Sequence, residues 1–192
     1  VVTAHLLGGM ATLGLLTWLA HRHLGIVSTG FSHADNLRFW ARWALVILFL
    51  QIFLGGWTST NYAALACTDF PTCHGVWMPD MDFANAFHLV RELGVDATGK
   101  TLTLAAYTAI QWIHRIGALV TFVYLGLLGL RLLKQPQLKK IGLIMLGLLV
   151  IQIALGIANL LLHLPLVLAV GHNMGAALLL ITVVVLNSKI TN

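Results

Sequence analysis

The sequence predicts an all-α integral membrane fold with five transmembrane helices, the last four forming a four-helix bundle. Two observations carry this. The chain of 192 residues is 59% apolar and only 9% charged, a balance outside the range of soluble domains. It also contains five apolar stretches, each close to the roughly 20 residues that a helix needs to cross a bilayer core about 30 Å thick.

The stretches lie at 1–20, 39–57, 103–131, 140–162 and 165–187. None alternates apolar and polar residues as a barrel strand does, so each is a helix that satisfies its own backbone in lipid. Residues 1–20 are a transmembrane segment and not a secretory leader: no basic region precedes them and no small-residue cleavage site follows. A chain that opens at Val1 in mid-apolar sequence reads as a piece of a longer protein, with 1–20 belonging to a preceding half. Residues 21–38 form a connecting loop, 39–187 a membrane domain and 188–192 a tail.

Basic residues set the orientation. Arg22, Arg38, Arg42, Arg131, Lys134, Lys139, Lys140 and Lys189 make eight of the eleven Lys and Arg, and all fall at one set of connections. The opposite loop, 58–102, carries only Arg91 and Lys100 with five acids, Asp69, Asp80, Asp82, Glu92 and Asp96. The excess of Lys and Arg marks the cytoplasmic face. Loop 58–102 then faces the periplasm of a bacterial-type inner membrane. The net charge of +5 reflects this topology and does not indicate nucleic-acid binding.

Cys67 and Cys73 lie in that outward loop as "CTDFPTC". In an oxidising compartment a disulfide is their natural state, and a short exposed bridge leaves both a structural and a redox role open. His74 follows, but residue 70 is Phe, so the Cys-x-x-Cys-His attachment of c-type haem is absent.

Internal repeats point to the chemistry. "QIFLG" at 51–55 returns as "QIALG" at 152–156, and His-x-x-Gly-small occurs at 5–9, 114–118 and 172–176. Counted to the first polar residue at the inner boundary, each histidine stands 16 or 17 positions away. That is about 25 Å at 1.5 Å per residue. His5, His114 and His172 therefore share one plane near the outer surface. Imidazoles at equal depth on facing helices, each beside a small residue, suit a bis-histidine haem. Taken singly, a membrane histidine is as readily an interhelical hydrogen-bond partner. A zinc or di-iron site is disfavoured because the spans hold no Asp or Glu. Arg115, a charge inside a span, has two uses open to it: pairing with a haem propionate, or snorkelling to lipid phosphate.

Weaker features are expected to be structural. His21, His23 and His33 fall in the cytoplasmic loop as solvated groups, and His163 beside Pro165 in a tight outward turn. "DFANAFHLVREL" reads as a surface-lying helix through Phe83, Phe87 and Val90, with His88 on it, and Trp57 and Trp77 as an aromatic belt.

"LGGWTSTNYAALACTDFPTC", then "IHRIGAL" and "VGHNMGAAL", resembles the carboxy-terminal half of the haem A synthase family, over the whole chain. The resemblance implies two similar four-helix halves, with 39–187 as the second and the helix of His5 as the last of the first. It implies oxidation of the haem O methyl group to the formyl of haem A for terminal oxidases. In that scheme substrate haem sits in the first half and a haem B cofactor in the second. His114 and His172 would hold haem B, and His5 would be one ligand of the substrate haem. Gln111 stands where the family's catalytic half has a glutamate, so this half would lack the catalytic carboxylate. Cys67 and Cys73 match the half's paired cysteines. Lipid, haem and possible contacts with haem O synthase or oxidase assembly factors are the partners implied. Two other classes compete: a non-catalytic b-type cytochrome passing electrons, and a periplasmic thiol-disulfide exchange protein. The second would want a Cys-x-x-Cys and a second cysteine pair.

Overall fold

A computed structural model describes residues 2–24, 34–88, 94–95 and 99–191. His33, Val90, Arg91, Glu92 and Asp96 lie outside them. Five long helices are present: α1 (Val2–His23), α2 (Ala34–Thr60), α4 (Leu104–Leu133), α5 (Lys139–Leu161) and α6 (Leu166–Thr191). Each is long and apolar enough to span a membrane, so the chain is a multi-pass membrane protein. A 3-10 turn, Ala63–Leu65, and a short helix α3, Phe83–Ala86, lie between α2 and α4.

The helices α2, α4, α5 and α6 pack in a ring, each against its two neighbours, and α1 lies outside against α2 and α6. The ring places α4 and α6 diagonally. Its core is aliphatic, built on Ala41, Leu48, Leu125, Leu128, Leu149, Leu179 and Val183. Leu119, Val120, Val123 and Leu127 on α4 and Val150 and Ile151 on α5 are exposed, as residues facing lipid tails would be.

Small residues and polar clasps set the close approaches, since lipid offers no hydrophobic drive between helices. A Cβ at Gly142 would stand 2.9 Å from the Gly129 carbonyl, and one at Gly129 2.8 Å from Leu146. Both glycines therefore let α4 and α5 touch. At one end of the bundle Arg131 sits 3.8 Å over the Trp40 ring, Trp40 stacks on Tyr124, and the Tyr124 hydroxyl donates to the Trp40 carbonyl. Asn187 donates to the Ala41 carbonyl and joins α6 to α2. At the opposite end Thr3 meets Thr60 at 2.8 Å, and a Cβ at Gly56 would stand 2.9 Å from Leu6.

Three local expectations are corrected. His21 is neither in a loop nor solvated: it lies in α1, is buried, and its Nδ1 is 2.9 Å from the Ser188 hydroxyl. Trp57 is not a belt residue. It is buried, its Nε1 donates to the Ala86 carbonyl, and its ring stacks with Phe53 and Phe87. Trp77 is exposed, as a belt residue would be. Of the amphipathic helix expected over "DFANAFHLVREL", the described residues hold four, Phe83–Ala86. Asp82 caps it by accepting from Asn85 N–H, and the backbone leaves helical geometry at Phe87, which turns onto Trp57. His163 is in the tight turn expected, with left-handed φ at His163 and Leu164.

Candidate haem-ligand site

His114 belongs to α4 and His172 to α6. Both are partly buried. A glycine on the neighbouring helix clears room for each ring. A Cβ at Gly55 of α2 would stand 3.2 Å from His114 Cε1, and one at Gly156 of α5 would stand 3.1 Å from His172 Cε1.

The second repeated glycine has a different neighbour. A Cβ at Gly117 would overlap the Gln51 amide oxygen, and one at Gly175 the Gln152 amide oxygen. Each glutamine reaches across to the histidine's own backbone. Gln51 Nε2 donates to the His114 carbonyl at 3.2 Å, and Gln152 Nε2 to the His172 carbonyl at 3.0 Å. The two repeats are thus one module built twice, with Gln and Gly on one helix and His and Gly on the next. Gln51 and Gln152 were missed as site residues, although "QIFLG" and "QIALG" carried the signal.

His5 stands apart. It is exposed on α1, outside the ring. Thr3 and Leu6, on either side of it, pack at Gly56, next to the glycine that touches His114. His5 and His114 therefore share a depth. Its Gly8 has nothing within 4 Å of a Cβ position, whereas Gly117 and Gly175 are covered.

Arg115 turns away from lipid. Its Nη1 donates to the Thr72 carbonyl, and its Nη2 to the carbonyls of Cys67 and Asp69. These belong to the loop that the Cys67–Cys73 disulfide closes. A planar guanidinium suits several carbonyls at once, and the loop's own backbone supplies the partners that a charge in a span requires. Asp69 organises the same loop, accepting from the Thr72 hydroxyl, Gly75 N–H and His74 N–H. Those bonds, Thr72's first, hold its carboxyl well below the usual carboxylate range. The sign follows from linkage: the contribution is present above the unfolded-state value near 4 and is lost as pH falls through the folded one. The loop is therefore organised at neutral pH.

Gln111 is buried and its Nε2 donates to the Ala64 carbonyl at 2.7 Å. An ionised glutamate has no proton to offer there, so the amide fits this position as a structural tie. Among the described residues, Cys67, Cys73 and His74 bring ligand-type atoms together, but the two sulfurs are bonded to one another.

The donor set fits a haem: two imidazoles from diagonal helices, room made by glycines, and a buried His172 Nδ1 without a partner. The model of the cytochrome oxidase assembly protein family matches residues 1–184. The chain belongs to that family. Among its relatives are proteins named haem A synthase. That of Shewanella oneidensis is 46% identical over 97% of this chain and 57% of its own length. That of Rickettsia felis is 31% identical over 71% of the chain and 38% of its own length. That of Methylobacterium radiotolerans is 29% identical over 97% and 48% respectively. The chain spans about half the length of these relatives. No solved structure matches it.

Proposed function

We propose that residues 39–187 are the haem B-binding half of a haem A synthase, with His114 and His172 as axial ligands. The duplicated Gln–Gly/His–Gly module on diagonal helices carries this reading. Bound haem would supply one-electron chemistry at its iron. The residues of this chain hold the two imidazoles, with Gly55 and Gly156 on the neighbouring helices making room for the rings. In the whole protein, His5 faces a preceding half and contributes one ligand to the substrate haem O; its exposure on α1 supports that assignment. Arg115, already engaged by the loop, retains Nε and remaining guanidinium protons for a haem propionate.

Gln111 separates this half from a catalytic one. A neutral amide cannot serve as a general base or stabilise developing positive charge as a carboxylate can. The chain alone is therefore expected to bind haem B and to leave haem O unchanged. Incubation of purified protein with haem O and an oxidant, followed by analysis of extracted haems, tests this. Hydroxylated or formyl haem above a no-protein control would reverse the assignment of the halves.

The basic-residue asymmetry supports an inner-membrane topology with the cysteine loop in the periplasm. A membrane-impermeant thiol reagent should label Cys67 and Cys73 from outside, and only after reduction. Labelling from the cytoplasmic side alone would invert the topology. An electron-transfer b-type cytochrome remains the second reading, favoured by the absence of a carboxylate at 111.

A further inference from the structure

We propose that the cleft formed by Arg38, Phe39, Arg42 and Trp43 near the start of α2 is a headgroup site for an anionic phospholipid. It lies apart from the candidate haem ligands: Arg42 is nine residues before Gln51 on α2, about 14 Å along the axis at 1.5 Å per residue.

Arg42 stands six residues inside the span that starts at Asn36, about 9 Å along the same axis. A guanidinium in a span needs a partner. The chain supplies one to other arginines. Arg38 Nε donates to the Ile190 carbonyl, Arg131 covers the Trp40 ring and Arg22 the Trp18 ring. Arg42 is exposed and, among the described residues, has no hydrogen bond, ion pair or aromatic ring as partner. It also sits one helical turn from Arg38, at the spacing where like charges repel. An anion held between the two guanidiniums removes that repulsion and gives Arg42 its acceptor. Phosphate suits the planar fork of an arginine, which grips it through two parallel bonds.

The charge around the cleft selects the headgroup. The connections on this side carry eight Lys and Arg and a single acid, Asp35. An anionic headgroup enters that field carrying no cation of its own, and basic clusters at the membrane surface favour such lipids.

The apolar wall selects a lipid over a free anion. Phe39 and Trp43 meet edge-on with ring centroids 6.2 Å apart. With Val46 and Leu50 they are exposed at i, i+4, i+7 and i+11, so they form one strip along the helix. A phosphate in the cleft places an acyl chain along this strip. The Trp43 indole is then at the polar–apolar boundary, where its N–H meets lipid oxygen and its ring meets hydrocarbon.

Native mass spectrometry of the purified chain in detergent tests this, with phosphatidylglycerol and phosphatidylcholine titrated in parallel. The proteins compared are wild type, R42Q, R42K and K134Q. Arg42 and Lys134 are both exposed, so neither substitution disturbs the packed core. Lys134 belongs to the same end of the bundle and lies outside the cleft. Wild type should retain phosphatidylglycerol in preference to phosphatidylcholine. R42Q should bind phosphatidylglycerol about 5-fold more weakly, the scale of one basic residue at an anionic lipid, and lose the preference. R42K should fall between the two, because an ammonium keeps the charge and loses the fork. K134Q should match wild type. Equal weakening in R42Q and K134Q would overturn the site in favour of diffuse surface charge. Equal retention of both lipids by wild type would overturn the anionic headgroup, and displacement of phosphatidylglycerol by inorganic phosphate would overturn the lipid.

Discussion

Arg115→Ala should release the cysteine loop from the bundle without unfolding the membrane helices. The guanidinium makes three hydrogen bonds to carbonyls at 67, 69 and 72. Hydrogen bonds to charged groups contribute about 1.5–3 kcal/mol each. These three share one side chain and are not additive, so the loss expected is about 3–5 kcal/mol, on the scale of a broken buried ionic contact. It falls on the loop, because the apolar core of the ring is built from other residues. The disulfide should then be reduced faster by an external thiol, and the loop cleaved sooner by added protease. Arg115→Lys should recover only part of the protection, since an ammonium on a flexible stem cannot span the carbonyls that a planar fork reaches. Unchanged rates of reduction and cleavage in Arg115→Ala would mean that the disulfide and Asp69 hold the loop unaided.

The five helices were legible because apolar length is a local property. All five appear where expected, with ends shifted by a few residues. The largest shift is at α2, which begins at Ala34 rather than 39. The added turn, residues 34–38, carries the helix beyond the apolar stretch, with Arg38 bonded to the Ile190 carbonyl. His114 and His172 were legible as a matched pair because repeat and depth are both read by counting.

What escaped depends on partners distant in sequence. Arg115 plainly needed an acceptor, but backbone carbonyls 43 to 48 residues away carry no side-chain signal. Trp57 looked interfacial because nothing near it announces that Phe87 and the Ala86 carbonyl return over it. Gln51 and Gln152 were visible as a repeat, yet their use appears only once α2 lies against α4 and α5 against α6. His21 was misplaced for the same reason: Ser188, its partner, is 167 positions away.

The central claim is that His114 and His172, and not His5, hold one haem within the α2–α4–α5–α6 ring. His114 and His172 lie on diagonal helices of the ring, each beside a glycine of its neighbour, while His5 is exposed on a helix outside it. If these two histidines are the ligands, replacing either would leave a bound haem one histidine short, so the effect should be close to complete. The direct measurement is the absorption and EPR spectrum of purified wild-type, His114→Ala, His172→Ala and His5→Ala proteins at equal concentration. The account predicts a low-spin bis-histidine b-type spectrum in wild type and in His5→Ala, and its disappearance in the other two. Loss of that spectrum in His5→Ala with its retention in His172→Ala would contradict the pairing.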